Sequence, residues 1–581
     1  MLDARVSLRP SIPRLIVVSA VAVLVLGTVP TSADGGGAKT SQDPMLTPLV
    51  AGVTAEGLIT VGELAGDDGY RFEAIPDGIS ISTRGNGTVD VYVNHETSRV
   101  PFPYAAVGTD PTAANGQNDF DNAQLSRLKL NQKGAGVLTG KLVITSSQNY
   151  QRFCSNFLAT AVQGFDRELL FTNEETPDWV NRTGNAWPTT VGAPTAREGG
   201  VVVAYDVTTG KNRPLYGLGR FNHENAVALP GFGQIVMLSG DDTFTSTPSQ
   251  SQLYSYSAPN ADAVWNDQGA LRAFVSDTAS RQKYEDFTLN DATSVTGHFI
   301  TVPREIATGR NANGTEMMSG DVPAALGGPY DRPPNDGSWQ KDLVTGVPID
   351  GPQWVLERWS QLHGVFRFIR VEDIAYDKRP GMGNIAYVVD TGRGTSGAAA
   401  DGKSTNGRVW KVVVDPTDPT KVTSFSVLID GDDNPVKTLT EMHQPDNIES
   451  TANALYFTED PGSGNQFPAN SADPSATPAR VWQYKLNGGA LNPILKVNHS
   501  ADEGATDVDP ATTPGNWGAW ESTGIVDASA AFGPGAFLIN VQAHTLWVEA
   551  SPGDDNFPPA GADFTDKREG GQLLLVRVPN G

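Results

Sequence analysis

Cysteine is all but missing: the 581 residues contain one, Cys154. That excludes an intrachain disulfide and any zinc ribbon, which needs paired cysteines. Histidine is sparse as well, seven in all, and no HExxH pair is present to build a zinc-hydrolase helix. No GxSxG nucleophile elbow occurs, so a serine α/β-hydrolase has no footing. We read no Walker loop, and no dinucleotide fingerprint following a strand. Bases are outnumbered by acids, 42 to 66, for a formal charge of -24. This argues against nucleic acid and anionic membranes as partners, since both attract basic patches. Solubility alone would also explain an acidic secreted chain. No apolar period of 3.6 is sustained, which removes the helical classes.

What is present is short and strand-like. VDVYV, LLF, QIVML, IAYVV, ALYF and AFLINV are β-branched or aromatic, and Gly, Pro, Asn or Asp bounds each. The pattern predicts an all-β fold. At the N-terminus, Arg5, Arg9 and Arg14 precede the apolar run Leu15–Val29 and the small residues of PTSA. This is the order of a secretory signal over residues 1–33, with an uncleaved anchor as the competing reading. No later run is long enough to span a bilayer, so a secreted, periplasmic or cell-envelope location is expected, free of the membrane after cleavage. Residues 34–48 read as a flexible leader and 49–581 as a single domain.

Several apolar runs end in acids: VNHE at Glu96, FTNEE at Glu174 and Glu175, SGDD at Asp241 and Asp242, VVD at Asp390, and FTED at Glu459 and Asp460. Upstream of each stands another group able to bind metal, in turn Asp77, Cys154, Glu224, Glu372 and Asp446. A sixth unit runs from Glu521 to Gln542 and His544. The starts are evenly spaced except for one doubled interval between Glu224 and Glu372. Even spacing of strand-rich units signals a repeat architecture, here a six-bladed β-propeller with long loops. The doubled interval predicts an insertion near 243–365, with a seventh blade as the alternative.

Equivalent strand ends in a propeller converge on one end of the central channel. Carboxylates gathered there cannot all stay ionised, because like charges raise their pKa values; bound cations remove the conflict. The plain alternative is that each acid caps its own turn. Oxygen donors favour hard cations: calcium, magnesium, manganese or ferric iron. Such a site suits a small anionic substrate, best a phosphoester, with Arg152, Arg220 and Arg370 as candidate phosphate-binding groups. His95, His223 and His544 could contact the anion or sit behind the metal ligands, and each could equally be structural.

An ordered set of segments carries a family resemblance. They are NHET (94–97), RFCSNFLA (152–159), FTNEE (171–175), GRFNHENAVA (219–228), SGDD (239–242), VEDIAYD (371–377), PDNI (445–448), TEDPGSGN (458–465), ESTGIVDAS (521–529), VQAH (541–544) and EGGQLLL (569–575). In these the chain resembles the PhoX-like secreted bacterial alkaline phosphatases, as a divergent branch: VED stands where PED is frequent, and no twin-arginine pair precedes the apolar leader. The resemblance implies a six-bladed propeller with ferric iron and calcium at the channel mouth, hydrolysing phosphate monoesters through a metal-activated oxygen. It implies Cys154 as a thiolate ligand to iron and Glu96, Glu175, Glu224, Glu372, Asp241, Asp446 and Glu459 as carboxylate ligands. The repeat adds Glu174 and Glu521 to the metal set. Glu96, Cys154, Glu224 and Arg152 are the expected catalytic group. The chain is expected to act as a monomer. Two other readings use the same acids: a non-catalytic calcium-stabilised propeller that binds a partner, and a calcium-dependent lactonase or phosphodiesterase.

Overall fold

Asp77, Cys154, Glu224, Glu372 and Asp446 each stand second in a short strand: Pro76–Thr83, Phe153–Ala159, His223–Leu229, Val371–Tyr376 and Pro445–Ser450. The sixth such strand is Glu521–Asp527. In the computed structural model each of these strands packs on the next, and the sixth packs on the first. Six inner strands therefore close a ring, and the chain is an all-β propeller. The structure describes residues 36–66, 69–96, 123–177, 179–181, 196–288, 291, 293–341, 346–394, 404–433, 441–460, 478–498, 520–549 and 567–579. The signal segment expected over 1–33 lies outside them. Among the described residues no helix is long and apolar enough to cross a membrane.

Each inner strand pairs antiparallel with a second strand, and further strands extend each blade outward. The second strands are Thr88–His95, Leu169–Glu174, Ile235–Asp241, Ile385–Asp390, Ala454–Glu459 and Ala536–Glu549. The described side chains of these strands are buried on both faces because each blade is sandwiched between its neighbours. Val89, Val91 and Val93 of the first blade share one apolar layer with Leu538, Leu573 and Leu575 of the sixth. Each such side chain removed from water stabilises the fold by roughly 1.5–3 kcal/mol.

Two expectations about the chain's course are corrected. Residues 36–48 are not a loose leader: Leu46–Pro48 pairs with Leu491–Val497 at the outer edge of the fifth blade. The next strand, Thr54–Thr60, pairs with Lys567–Arg577 and completes the sixth blade. The N-terminal segment thereby covers two strand edges that would otherwise stand unpaired. The insertion also starts later than residue 243, because Leu253–Ala258 and Ala270–Ser276 are the third blade's own outer strands. The additional chain carries Val295–Thr301, which joins the outer edges of the third and fourth blades by pairing with Ala270–Ser276 and Lys421–Asp430. It also carries the helix Pro352–Leu362. This extra material accounts for the doubled interval, and among the described residues no seventh inner strand appears.

Every inner strand carries a break in register near its start: Pro76/Ile79, Phe153/Asn156, His223/Ala226, Val371/Ile374, Pro445/Ile448 and Thr523/Val526. A bulge leaves residues unpaired and re-aims their side chains. In five blades the first residue inside the bulge is Asp77, Cys154, Glu224, Glu372 or Asp446. In the sixth it is Gly524, so Glu521 is not the equivalent of the other five. Four blades enter the inner strand through a left-handed residue, Ile75, Arg152, Arg370 or Gln444, at φ 48, 42, 55 and 46. Non-glycine residues rarely adopt this conformation, and its recurrence at one repeat position marks a shared constraint.

Candidate metal centre

The bulges bring Cys154, Glu224, Glu372 and Asp446 together, and the residue just beyond two of the second strands joins them. Donor atoms of Cys154, Glu175 and Glu224 lie within 4.8 Å of one another. The same holds for Glu175, Asp242 and Glu372, and for Glu224, Glu372 and Asp446. The three sets overlap through Glu175, Glu224 and Glu372, and all six residues are buried. Asp77 adjoins them, accepting a hydrogen bond from Cys154 Sγ at 2.9 Å and from Thr523 Oγ1 at 2.5 Å.

Electrostatics make this arrangement costly without a counter-ion. Two unit charges 4 Å apart repel by about 4 kcal/mol at an effective dielectric near 20. Burial pushes Glu175, Glu224, Glu372 and Asp446 well above the carboxylate range, and neighbouring carboxylates push them further. Burial, then the Glu96 charge, raises Asp77 to about 7. Burial, then Asp77 and Glu224, raises the Cys154 thiol. Among the described residues two nearby cations offset this. Arg370 grips Asp242 through Nε at 2.9 Å and Nη2 at 2.7 Å and lies 3.3 Å from Glu372. Arg152 pairs with Glu96 at 3.2 Å.

The donor set fits a metal by a test independent of proximity. Glu224 Oε2 and Asp446 Oδ2 are buried and have no hydrogen-bond partner. The other oxygen of Glu224 is held, by Ser155 Oγ at 2.5 Å and Asn447 Nδ2 at 3.3 Å. A carboxylate fixed by one oxygen with the other left bare is pre-oriented as a ligand, whereas a bare buried acceptor facing only protein costs about 1–3 kcal/mol. Carboxylate oxygens suit hard cations such as calcium, and the thiolate beside them admits iron in the set that contains Cys154.

Beside the acids a belt of amides links the blades. Asn94 donates to Ser155 O at 3.1 Å, Asn225 to Asp373 Oδ1 at 2.5 Å, Asn447 to Ser155 Oγ at 2.8 Å and Asn540 to Asp77 O at 2.5 Å. Each bond crosses from one blade to another, so the ring's inner lining is fixed by side chains as well as by packing. Sequence reading missed this belt. Its signal is the asparagine following the candidate ligand in HEN and PDN.

Three expected ligands are corrected. Glu174 accepts from Arg197 Nη1 at 2.6 Å, Gln151 N at 2.9 Å and Val201 N at 3.1 Å. Glu459 accepts from His443 N at 2.7 Å, Arg480 N at 2.9 Å and Trp482 Nε1 at 2.7 Å. Asp241 takes a bond from Thr243 Oγ1 at 3.0 Å and faces Glu357 of the insertion helix. Successive side chains leave a strand on opposite sides. In NEE and GDD the first acid therefore points into the blade, and the second, Glu175 or Asp242, reaches the cluster. Asp242 replaces Asp241 as the candidate ligand.

Glu96 and Glu521 lie at the edge of the site. Glu96 contacts Arg152 and Gln542 Nε2, the latter at 3.3 Å. The Glu521 charge acts on Asp446 from outside the three sets. Arg220 is no phosphate-binding group: it is fully buried and pairs with Glu316 at 2.7 Å. His95 and His223 are buried and neutral, lowered by burial to about 4 and about 3, and bonded to Ser126 and Ser239. The side chain of His544 lies outside the described residues. A cavity of about 360 Å³ lined by Gln250, Arg332, Trp354 and Arg358 shares no residue with the cluster.

The reading of no Walker loop needs amending in its letters. Residues 397–404, GAAADGKS, do spell the pattern. A working phosphate loop opens a helix, but this segment runs into the strand Arg408–Val414. Ser404 Oγ accepts from Arg393 Nη1 at 2.5 Å. Residues 395–403 lie outside the described set.

No family model and no curated protein matches the chain. Among solved structures it is similar to the PQQ-bound aldose sugar dehydrogenase of Streptomyces coelicolor, with 10% identity, 91% of this chain and 100% of that one covered, and a TM-score of 0.31. It is similar to a protein of unknown function from Dyadobacter fermentans, with 9% identity, 91% and 100% coverage, and a TM-score of 0.38. It is also similar to an α-L-arabinanase from Penicillium chrysogenum, with 7% identity, 90% and 98% coverage, and a TM-score of 0.35. At such identities these are similarities of architecture alone.

Proposed function

We propose that the chain is a metal-dependent hydrolase of phosphate monoesters. The observation that carries this is the three overlapping donor sets of Cys154, Glu175, Glu224, Asp242, Glu372 and Asp446, with Arg370 and Arg152 beside them. The PhoX-like resemblance supports the same reading, with iron and calcium as the cations. When bound, such cations supply positive charge that polarises a phosphoryl oxygen and acidifies a water.

The chain's own residues do the rest. Glu224 is oriented by Ser155 and Asn447 and Glu372 by Thr391, and Asp446 adds a bare buried oxygen. Asp77 Oδ2 is placed to take the proton that Cys154 Sγ must lose to become a ligand. Arg370 spends Nε and Nη2 on Asp242 and keeps Nη1 for a phosphoryl oxygen. Burial of the acids keeps bulk water from screening these charges.

The test is direct. The protein is loaded with calcium and iron, its metal content is measured, and p-nitrophenyl phosphate turnover is followed at alkaline pH. Glu224→Gln and Cys154→Ala are then compared. We expect turnover to fall by about 100-fold or more in Glu224→Gln, as when one preorganised electrostatic group is lost. Full metal loading without turnover would favour the calcium-stabilised binding propeller instead, and turnover untouched by both changes would remove the site.

A further inference from the structure

Two guanidiniums flank the acid cluster, and an exposed aromatic ring lies within reach of both. Arg152 Cζ is 5.3 Å and Arg370 Cζ 5.8 Å from the centroid of Phe244. Phe244 follows Asp242 by two residues, so the ring and a candidate ligand share one short turn. The ring is 38% exposed, and among the described residues it is the one aromatic in the set of large apolar side chains left in solvent. A single exposed apolar residue is ordinary and needs no explanation. Phe244 differs because of its neighbours. Arg370 is fixed by Asp242 and Arg152 by Glu96, so the cations that hold the ring are themselves held. Cation–π contact keeps the ring in place without covering it.

We propose that Phe244 is the wall against which the leaving group lies, and that the site prefers phosphate monoesters of planar aromatic alcohols. This rests on the phosphatase reading and deepens it. With the phosphoryl group on the cations and guanidiniums, the ester substituent must extend out of the cluster past its edge. A flat ring there can lie offset on Phe244, an arrangement worth about a two- to tenfold preference. An alkyl chain gains only part of that contact.

The experiment compares phenyl phosphate with butyl phosphate in the metal-loaded wild type, Phe244→Ala and Phe244→Leu. Aryl esters react faster for chemical reasons alone, so the readout is the change in the ratio of kcat/KM values. We expect that ratio to fall about two- to tenfold in Phe244→Ala, and by a similar factor in Phe244→Leu, which keeps bulk but not the ring. An equal change for both esters would overturn the proposal, as would no change. Calorimetry with phenyl phosphate and inorganic phosphate separates this outcome from failure of the phosphatase reading. If neither ester turns over, a phenyl phosphate advantage in the wild type that Phe244→Ala loses still supports the wall. Equal affinity for the two ligands in the wild type, or binding of neither, overturns it. Metal content and melting temperature of each variant guard against misfolding.

Discussion

Cys154 Sγ lies 2.9 Å from Asp77 Oδ2 across the boundary between the first two blades. Burial holds the thiol protonated, and it raises Asp77 to about 7. A thiolate ligand would therefore cost a proton, and Asp77 is placed to relay it from Sγ toward solvent. Metal uptake near neutral pH should release protons, with about one fewer released by Cys154→Ser. Titration calorimetry in two buffers of different ionisation enthalpy reads that number. The carboxylate-only set of Glu224, Glu372 and Asp446 should keep its calcium in the variant.

The same acids set a pH dependence whose sign differs between the metal-free and loaded protein. In the metal-free fold Asp77, Glu175, Glu224, Glu372 and Asp446 all titrate above their unfolded values. The native state then binds more protons than the unfolded chain, so stability is fully present below about pH 4 and is lost as pH rises through the raised values. For Asp77 that window runs from 3.8 to about 7. Chelator-treated protein should melt several degrees lower at pH 8 than at pH 5. With calcium and iron bound the order should reverse, because the ligands must be deprotonated to bind. Melting curves at the two pH values, with and without metal, measure both signs.

Much of this was legible in the chain because a propeller repeats its grammar. Five of the six unit starts fell on the bulge position. The sixth did not, because ESTG places its bulge three residues beyond Glu521, and no periodicity in composition records a register break. The choice within each acid pair was also hidden: FTNEE and SGDD offer two carboxylates, and only strand alternation in three dimensions separates Glu175 from Glu174. Arg197 and Arg480, which claim Glu174 and Glu459, lie more than twenty residues downstream of their partners. The N-terminal strands carried no signal of their own, since pairing with Leu491–Val497 and Lys567–Arg577 depends on contacts across nearly the whole chain.

That alternation gives a paired test at Glu174 and Glu175. Glu174 and Arg197 form a buried ion pair at 2.5 Å. Glu174→Gln strands the guanidinium, and should cost about 3–5 kcal/mol of stability while the metal stoichiometry of the folded protein is kept. Glu175→Gln should do the opposite. It removes one of several repelling carboxylates, so the metal-free protein should become more stable, while metal affinity falls by about tenfold or more. Denaturant midpoints together with metal analysis separate the two, and a matched loss of metal in both would return Glu174 to the site.

The sixth blade supplies the last test, because its bulge carries no ligand and has no room for one. Gly524 has φ +57, and a Cβ there would stand 2.3 Å from Asp77 O and 2.8 Å from Asp77 C, both backbone atoms. Neither can yield as the tip of a side chain would. Thr523 fills the neighbouring role by bonding Asp77 Oδ1, and Gly524 N donates to Asn447 Oδ1. Gly524→Ala should therefore destabilise by about 1–3 kcal/mol from backbone conformation alone, with the clash against Asp77 adding to it. Since the displaced backbone is that of the residue bonded to Cys154, the metal set containing Cys154 should weaken while the carboxylate-only set persists. Glu521→Gln, three residues earlier and partly exposed, should leave metal stoichiometry intact and shift stability by no more than about 0.5 kcal/mol. Metal loss in Glu521→Gln with an unaffected Gly524→Ala would show that the sixth blade contributes through Glu521 after all.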